Sequence, residues 1–168
     1  GDVCLGWKFT HAADAAARIV VQNALFGLAG RRRASRLVMP WCTYTDPEVA
    51  HVGLSEREAR ERGIGIDTLV RRLEDVDRAR TDEETEGFLK VHVRRDSDRI
   101  VGATIVARRA GDLISEVTLA IVAGVGLDRF SDVIHPYPTL GEAVRHLADQ
   151  HRRRRLRPFV GPAFGSWV

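Results

Sequence analysis

The sequence predicts an α+β fold, in which a mostly antiparallel sheet carries helices packed on one side and follows an N-terminal helix. Three patterns support this class. Phe88–Arg95 alternates between apolar and polar residues, which is typical of a half-buried strand. Asp112–Ala123 is amphipathic, and Gly124 provides a stop for that helix. The segments with strand character are joined by short turns, which favours antiparallel pairing.

A long helix is predicted near the start of the chain, from Thr10 to about Leu28. Its alanine run favours a helix, and Gly30 is a natural C-terminal stop. Arg31–Leu37 then forms a basic connector. The predicted apolar face of this helix comprises Ile19, Val20, Leu25, Phe26 and Leu28.

Two short strands and a capped helix are predicted next. Trp41–Thr45 and Val49–Gly53 have strand character and flank an Asp-Pro turn. Ser55-Glu56-Arg57-Glu58 is a capping box, in which the Ser and the second Glu satisfy each other's backbone N–H groups. The sequence therefore predicts a short helix that begins here and ends at Gly63.

Two further strands and an acidic loop are predicted in the middle of the chain. Ile66–Leu73 has the residues of a strand. Residues 74–86 are rich in Asp and Glu and are predicted to form a loop. Arg99–Ala107 presents apolar residues on both faces, which predicts a central strand.

The C-terminal part is predicted to be mainly helical. Asp128–Val133 is expected to form a short helical turn. Leu140–Arg153 is expected to form the last helix, with Thr139 as its cap. The residues after Arg153 are punctuated by Pro and Gly, which predicts an arm that packs or frays.

Composition restricts the class of protein. The 168 residues carry a net charge of +3, but no aromatic residues interleave the arginine runs, so we do not expect nucleic-acid binding. No apolar run approaches the roughly 20 residues of a membrane span, and no membrane partner is expected. Cys4 and Cys42 are too far apart to suggest a disulphide framework or a metal site. Two cysteines without such a framework favour a cytoplasmic setting.

The most informative segment is His135-Pro136-Tyr137-Pro138-Thr139-Leu140-Gly141-Glu142. Its two prolines hold the backbone extended and keep it out of a helix. Glu142 falls in the first turn of the following helix, where a carboxylate is favoured. The segment thereby fixes an imidazole, a phenol and a carboxylate near one point, as proton transfer requires. The alternative is a rigid turn that only starts a helix.

Three segments in order give the chain a family resemblance. They are Gly1-Asp2 with the Phe9-Thr10-His11 helix start, the Thr45–Glu56 run TDPEVAHVGLSE, and Pro138–Glu142. Together they resemble the C-terminal third of the flavin-dependent pyridine-nucleotide disulphide oxidoreductases, which include lipoamide dehydrogenase, glutathione reductase and mercuric reductase. The resemblance covers roughly residues 1–150 and implies an antiparallel dimerisation domain.

The resemblance implies FAD as cofactor and NAD(P)H as co-substrate, the latter bound by parts outside this sequence. Asp2 matches a family Asp that hydrogen-bonds the ribityl chain of FAD. Phe9, Thr10 and His11 match a helix start whose N–H groups face the flavin, because a helix N-terminus stabilises negative charge. On this resemblance, residues 1–36 are the end of the FAD-binding domain, 37–150 the dimerisation domain and 151–168 a basic C-terminal arm.

The resemblance also implies catalytic residues. In the family, a His directly before Pro-Thr protonates a redox thiolate near the partner subunit's flavin, and a Glu orients that His. Tyr137 stands at the His position, Glu142 matches the Glu, and His135 lies two residues earlier. A phenol with a pKa near 10 is a poor acid–base group at neutral pH. We therefore expect either that His135 replaces the usual base, or that the enzyme does not run thiol–disulphide exchange.

A Tyr in this region is similar to mercuric reductase, but the tail lacks the vicinal Cys pair of that enzyme, which argues against mercury reduction. The chain also lacks a Gly-rich dinucleotide fingerprint and a redox Cys pair, and it begins inside a motif. We therefore expect a fragment that is inactive alone and that forms a homodimer beside its own FAD and NAD(P)H domains. The alternatives are a stand-alone dimerisation or regulatory module, and a basic binding module that uses the arginine runs.

Overall fold

A computed structural model describes the backbone of residues 1–164 and the side chains of this range except those of Ala29 and residues 157–164. The chain forms five helices and five strands within this range, apart from short 3-10 turns. The helices are α1 (Thr10–Phe26), α2 (Glu56–Glu61), α3 (Asp77–Thr81), α4 (Ala110–Ala123) and α5 (Glu142–Phe164). The strands are β1 (Trp41–Thr43), β2 (Glu48–Gly53), β3 (Ile66–Arg72), β4 (Phe88–Arg94) and β5 (Ile100–Ala107).

The five strands form one antiparallel sheet in the order β1-β2-β5-β4-β3. The last strand in sequence is therefore the central one, as its two apolar faces predicted. Its partner on one side is β2, where His51 lies opposite Thr104. Its partner on the other side is β4, where His92 lies opposite Gly102.

One face of the sheet carries the core, and α4 and α5 pack against it. α4 lies over β2 and β5, whereas α5 lies over β3 and β4. The alternation in β4 was predicted correctly, because Leu89, Val91 and Val93 are all buried on this face. The helices contribute Val117 and Leu147 among other buried residues. The α+β fold with helices packed on an antiparallel sheet is thus confirmed.

The predicted capping box is present in full. The backbone N–H of Glu58 donates to Ser55 Oγ at 3.2 Å, and the backbone N–H of Ser55 donates to Glu58 Oε2 at 2.9 Å. These hydrogen bonds hold the pKa of the Glu58 carboxyl below its usual value, chiefly through the Ser55 backbone. Gly63 and Gly124 follow their helices with positive φ angles of 65° and 68°, a conformation that glycine adopts without steric cost.

Three predictions of local structure were wrong. The acidic stretch after β3 is not simply a loop, because a 3-10 turn and α3 occupy much of it. The last helix begins at Glu142 rather than Leu140, and Thr139 does not cap it because its hydroxyl donates to the backbone oxygen of Pro136 at 2.8 Å. That helix also continues past Arg153 to Phe164 instead of ending there. Residues 165–168 lie outside the described residues.

The N-terminal helix exists as predicted, but most of its apolar side chains are uncovered. Only Ala12 and Ile19 of α1 are buried, whereas Val20, Leu25 and Phe26 are exposed. α1 therefore contributes little to the core around the sheet. Across the described part of the chain, none of the helices combines the length and apolar character that crossing a bilayer requires.

Candidate functional site

Tyr137 is the exposed centre of the proline-framed segment. This segment connects a 3-10 turn, Leu127–Asp132, to α5. The Tyr137 side chain is 69% exposed, and its hydroxyl donates a hydrogen bond of 2.9 Å to Asp77 Oδ2 in the first turn of α3. The bond to Asp77 and the charge of its carboxylate raise the pKa of the Tyr137 phenol. The phenol is therefore kept in its neutral form.

Glu142 lies at the start of α5 and is only 6% exposed. Its Oε1 accepts a hydrogen bond of 3.1 Å from the guanidinium of Arg145, one turn further along the helix. No hydrogen bond joins Glu142 to Tyr137, and the carboxylate that contacts the phenol is Asp77. Within this chain, Glu142 thus pairs with Arg145 and makes no hydrogen bond to Tyr137, the group at the position that it was expected to orient.

His135 is turned into the protein rather than toward the exposed phenol. Its side chain is only 8% exposed. Nε2 lies 3.1 Å from Glu116 Oε1 on α4, and Nδ1 lies 3.3 Å from the backbone oxygen of Val133. In this arrangement, His135 joins the start of the segment to α4.

Ionic contacts hold α5 to the 3-10 turn that precedes the segment. Nδ1 of the buried His151 lies 2.6 Å from Asp128 Oδ1. Arg155 donates to Asp128 Oδ2 and Arg152 donates to Asp132 Oδ1, each at 2.9 Å. The segment that carries Tyr137 is therefore held at both ends, by the 3-10 turn and by α5.

Exposed apolar side chains border this segment. We define them as the α4 patch, which comprises Leu119, Val122, Val125, Val133 and Ile134. Ile134 is the most exposed, at 95%. Glu116 of α4 contacts His135 at the start of the segment, and Val133 and Ile134 of the patch directly precede it in the chain.

The predicted cofactor-binding residues form a separate group at the start of the chain. The rings of Trp7, Phe9 and His11 stack in sequence, with centroid distances of 6.2 and 5.2 Å. His11 Nε2 lies 2.8 Å from the backbone oxygen of Pro40, and the backbone oxygen of Asp2 accepts a bond from Lys8. No hydrogen bond or ion pair among the described residues connects this group with Tyr137, Glu142 or His135.

The N-terminus of α1 could accept a group with negative character. Phe9 is the N-cap residue, and none of the described side chains caps the helix. The first turn, which includes Thr10, also contains no acidic residue. Helix N–H groups without a cap, together with the helix dipole, favour an electron-rich acceptor.

Sequence reasoning did not find Asp77 as the partner of Tyr137. The two residues are 60 positions apart, and Asp77 lies in the stretch that was predicted to be a loop. No local pattern in the sequence connects this acidic stretch to the proline-framed segment. The contact depends on the tertiary packing of α3.

Comparison with known proteins assigns the chain to a family. Residues 39–148 match the dimerisation domain of the pyridine nucleotide-disulphide oxidoreductases. The chain belongs to this family. Its domain boundaries, by contrast, stay predictions.

Sequence relatives include two kinds of enzyme. Mercuric reductase of Staphylococcus aureus is 40% identical over 145 residues, which cover 86% of this chain and 26% of the relative. Mercuric reductase of Streptomyces lividans is 36% identical over 145 residues, which cover 86% of this chain and 30% of the relative. Dihydrolipoyl dehydrogenase of Staphylococcus aureus is 34% identical over 150 residues, which cover 89% of this chain and 31% of the relative. The chain thus spans less than a third of the length of these relatives.

Solved structures share the fold. The HOCl-induced flavoprotein disulphide reductase RclA of Escherichia coli matches with a TM-score of 0.80 and 29% identity, over 89% of this chain and 34% of that one. LpdA of Mycobacterium tuberculosis matches with a TM-score of 0.81 over 90% of this chain and 32% of that one; at 24% identity it supports the fold alone. These similarities agree with the dimerisation-domain assignment. The family is flavin-dependent and uses NAD(P)H, and its dimerisation domain implies oligomer formation.

Proposed function

We propose that the chain is the C-terminal dimerisation portion of a flavin- and NAD(P)H-dependent oxidoreductase that acts as a homodimer. In this proposal, Tyr137 reaches the partner subunit's active site, and its neutral hydroxyl donates a hydrogen bond there. The observation that carries the proposal is an exposed tyrosine, held by Asp77 on a proline-framed segment of a chain that belongs to this family. Two free cysteines without a disulphide framework support a cytoplasmic setting.

The α4 patch supports self-association beside Tyr137. A group of exposed apolar side chains on one element and the segment beside it is a feature that protein interfaces use. If two copies meet through this patch, the segment that carries Tyr137 lies at the edge of the contact. In that arrangement, the exposed ring of Tyr137 faces the second subunit.

A substitution in the patch tests the homodimer. Ile134→Asp places a charge in the most exposed apolar position, so we expect it to shift the purified chain from dimer to monomer. Val20→Asp on α1 is the matched control, since it makes the same kind of change at an exposed position outside the patch. Light scattering measures the mass of both variants. Equal masses for the wild type and both variants would contradict the proposed interface.

The start of α1 fits the flavin that the family uses. Bound flavin would supply hydride acceptance from NAD(P)H and electron transfer to the second substrate. The part of this chain is to offer the uncapped N–H groups of α1, and the stacked rings of Phe9 and His11, to an electron-rich edge. His11 also holds Pro40, which fixes the junction between α1 and the sheet. We assign Asp2 a supporting contact with the ribityl hydroxyls.

Asp77 gives the proposed site its carboxylate. It accepts the hydrogen bond of the Tyr137 hydroxyl and favours the protonated phenol. In the proposed site the hydroxyl would exchange Asp77 for the acceptor, and its single O–H would then donate a hydrogen bond to developing negative charge there. His135 and Glu142 then act as positioning residues. His135 ties the segment to α4, and Glu142 with Arg145 orders the first turn of α5.

Separate half-reactions test the role of Tyr137 in the complete enzyme that contains this chain. We expect Tyr137→Phe to slow electron transfer to the acceptor about 10²-fold or more, with flavin reduction by NAD(P)H unchanged. Tyr44→Phe is a matched control, because Tyr44 is the other tyrosine of the chain and is also exposed. Stopped-flow absorbance follows both half-reactions. An equal slowing of the two would rule out the assignment.

A further inference from the structure

A groove between β3 and α5 contains buried hydrogen-bond donors without acceptors. Its volume is about 1000 Å³. Arg71 of β3 and His146 of α5 lie in its walls, and Arg71 Nε and His146 Nδ1 are buried with no partner among the described residues. A buried donor without a partner keeps its desolvation cost uncompensated, so the pair calls for an explanation.

The hydrogen bonds around His146 identify its free nitrogen as a donor. His146 Nε2 lies 3.2 Å from a guanidinium nitrogen of Arg145, and a guanidinium can only donate. Nε2 is therefore the acceptor, and the ring proton is on Nδ1. Burial, followed by the nearby charges of Arg71 and Arg145, lowers the pKa of His146. Each unpartnered atom thus carries an N–H group.

Two arginines of α5 add positive charge to the same groove. Arg153 and Arg154 line it, and neither forms an ion pair with any residue whose side chain is described. They share one helix face with His146, because positions 149, 150, 153 and 154 lie about one or two helical turns after position 146. Their neighbours in the arginine run, Arg152 and Arg155, are instead engaged with Asp132 and Asp128.

The acidic residues of the groove are already engaged. Asp149 accepts from Arg145 at 3.3 Å. The backbone oxygen of Asp75 accepts from Arg71 Nη2 at 2.5 Å, and its carboxylate lies 4.0 Å from Arg71 Nη1. The N–H groups that remain in the groove without an acceptor, together with Arg153 and Arg154, therefore suit a ligand that brings oxygen acceptors and negative charge.

We propose that this groove binds a small molecule through an oxyanion group, either a phosphate or a carboxylate. The oxygens of this group would accept from Arg71 Nε and His146 Nδ1, while Arg153 and Arg154 would contribute charge at the groove. Guanidinium groups suit both kinds of oxyanion because they donate two parallel hydrogen bonds. The proposed site lies on α5 and β3, and it does not depend on the proposed oxidoreductase function.

Titration of the purified chain with inorganic phosphate and with acetate tests this proposal. The signals of the His146 ring nitrogens are followed by NMR, with chloride at the same ionic strength as the reference. We expect at least one of the two anions to produce saturable shifts at His146 that chloride does not reproduce. The anion that saturates at lower concentration identifies the group. Shifts that match those in chloride would overturn the proposal.

Two variants locate the site. Arg71→Lys keeps the charge but removes the Nε–H group, and His146→Leu removes the ring donor. We expect each to weaken anion binding about tenfold, since a hydrogen bond to a charged group contributes about 1.5–3 kcal/mol. Arg57→Lys on α2 is the matched control, because it makes the same change at an exposed arginine outside the groove. Circular dichroism checks that each variant is folded. Unchanged affinity in both folded groove variants would also overturn the proposal.

Discussion

Residues 41–151 and residues 1–40 differ in how much of their apolar surface is covered. The first region contains the sheet, with α4 and α5 over one face, and almost all of the buried residues. Among its described side chains, the second region contributes only Ala12 and Ile19 to the buried set, although α1 has 17 residues and α4 has 14. The sheet region thus carries its own core, whereas the exposed apolar side chains of α1 are left uncovered by the side chains that the structure describes.

This difference shows that helix formation and core formation are separate properties of the sequence. The alanine run of α1 favours a helix by itself. A helix whose apolar face is exposed gains little from burial, because the hydrophobic contribution follows the area removed from water. We therefore expect the free energy of unfolding to depend on the sheet region and hardly on α1.

The largest expected effect is in the core of the sheet region. Leu147 of α5 is completely buried, so Leu147→Ala removes contacts and leaves a cavity. We expect it to lower the free energy of unfolding by about 2–5 kcal/mol. Urea denaturation measures the change. A loss below about 1 kcal/mol would mean that α5 is not the cover of the sheet, and the contrast between the two regions would weaken.

The pH dependence of stability provides a second test of the sheet region. Burial lowers the pKa of His92, which is only 1% exposed. Below a pH of about 6.5 the unfolded chain binds a proton that the folded chain does not, so stability falls as the pH falls; above that pH this contribution is constant. One such proton gives a slope of at most about 1.4 kcal/mol per pH unit.

His92→Gln should flatten this slope. Some slope should remain, because the pKa of His146 is lowered in the same direction. Thermal unfolding followed between pH 5 and 8, the range in which histidine titrates, measures both proteins. Identical pH profiles for the wild type and His92→Gln would show that the buried imidazole does not control stability in this range.

A smaller effect is expected at the capping box of α2. Ser55→Ala removes the acceptor of the Glu58 N–H and one contact of the Glu58 carboxylate. The expected loss is about 1 kcal/mol, which is typical of an N-cap replacement. Ser55→Thr keeps the hydroxyl and should restore most of the stability in the same denaturation experiment. Equal losses in the two variants would assign the effect to packing instead.

The smallest effect is expected on α1. Leu25 is 70% exposed, so Leu25→Ser should change the free energy of unfolding by no more than about 0.5 kcal/mol. Comparison with Leu147→Ala under the same conditions gives the contrast between the two regions directly. A loss above about 1 kcal/mol at Leu25 would indicate that α1 is covered in solution, for example by a second copy of the chain.

Local signals in the sequence predicted much of the sheet region. The alternation of β4, the capping box at Ser55 and the stop at Gly124 each depend on a few neighbouring residues, and each is present in the structure. His92 shows where this reasoning ends. Its place in the alternation predicted a polar face, yet it is buried. The backbone of Leu54, just after β2, lies against Gly102, the residue opposite His92, and its N–H donates to the backbone oxygen of Val101. This crossing covers the face of the sheet on which His92 lies.

The contacts of the candidate site could not be predicted in the same way. Tyr137 and Asp77 are 60 residues apart, His135 and Glu116 are 19 apart, and His151 and Asp128 are 23 apart. No periodic pattern specifies which carboxylate meets which ring, because tertiary packing brings these elements together. The resemblance to a family directed attention to Tyr137 and Glu142, but it did not indicate that Asp77 contacts the phenol.

The ionic contacts between α5 and the turn Leu127–Asp132 have a consequence for association. They close a short loop around the proline-framed segment, and the conformational freedom of that loop is lost when the chain folds. Ordering the loop therefore adds little to the entropy cost when a partner arrives. If the homodimer forms as proposed, changes at His151 or Arg152 should therefore weaken association by increasing the freedom of the segment that carries Tyr137.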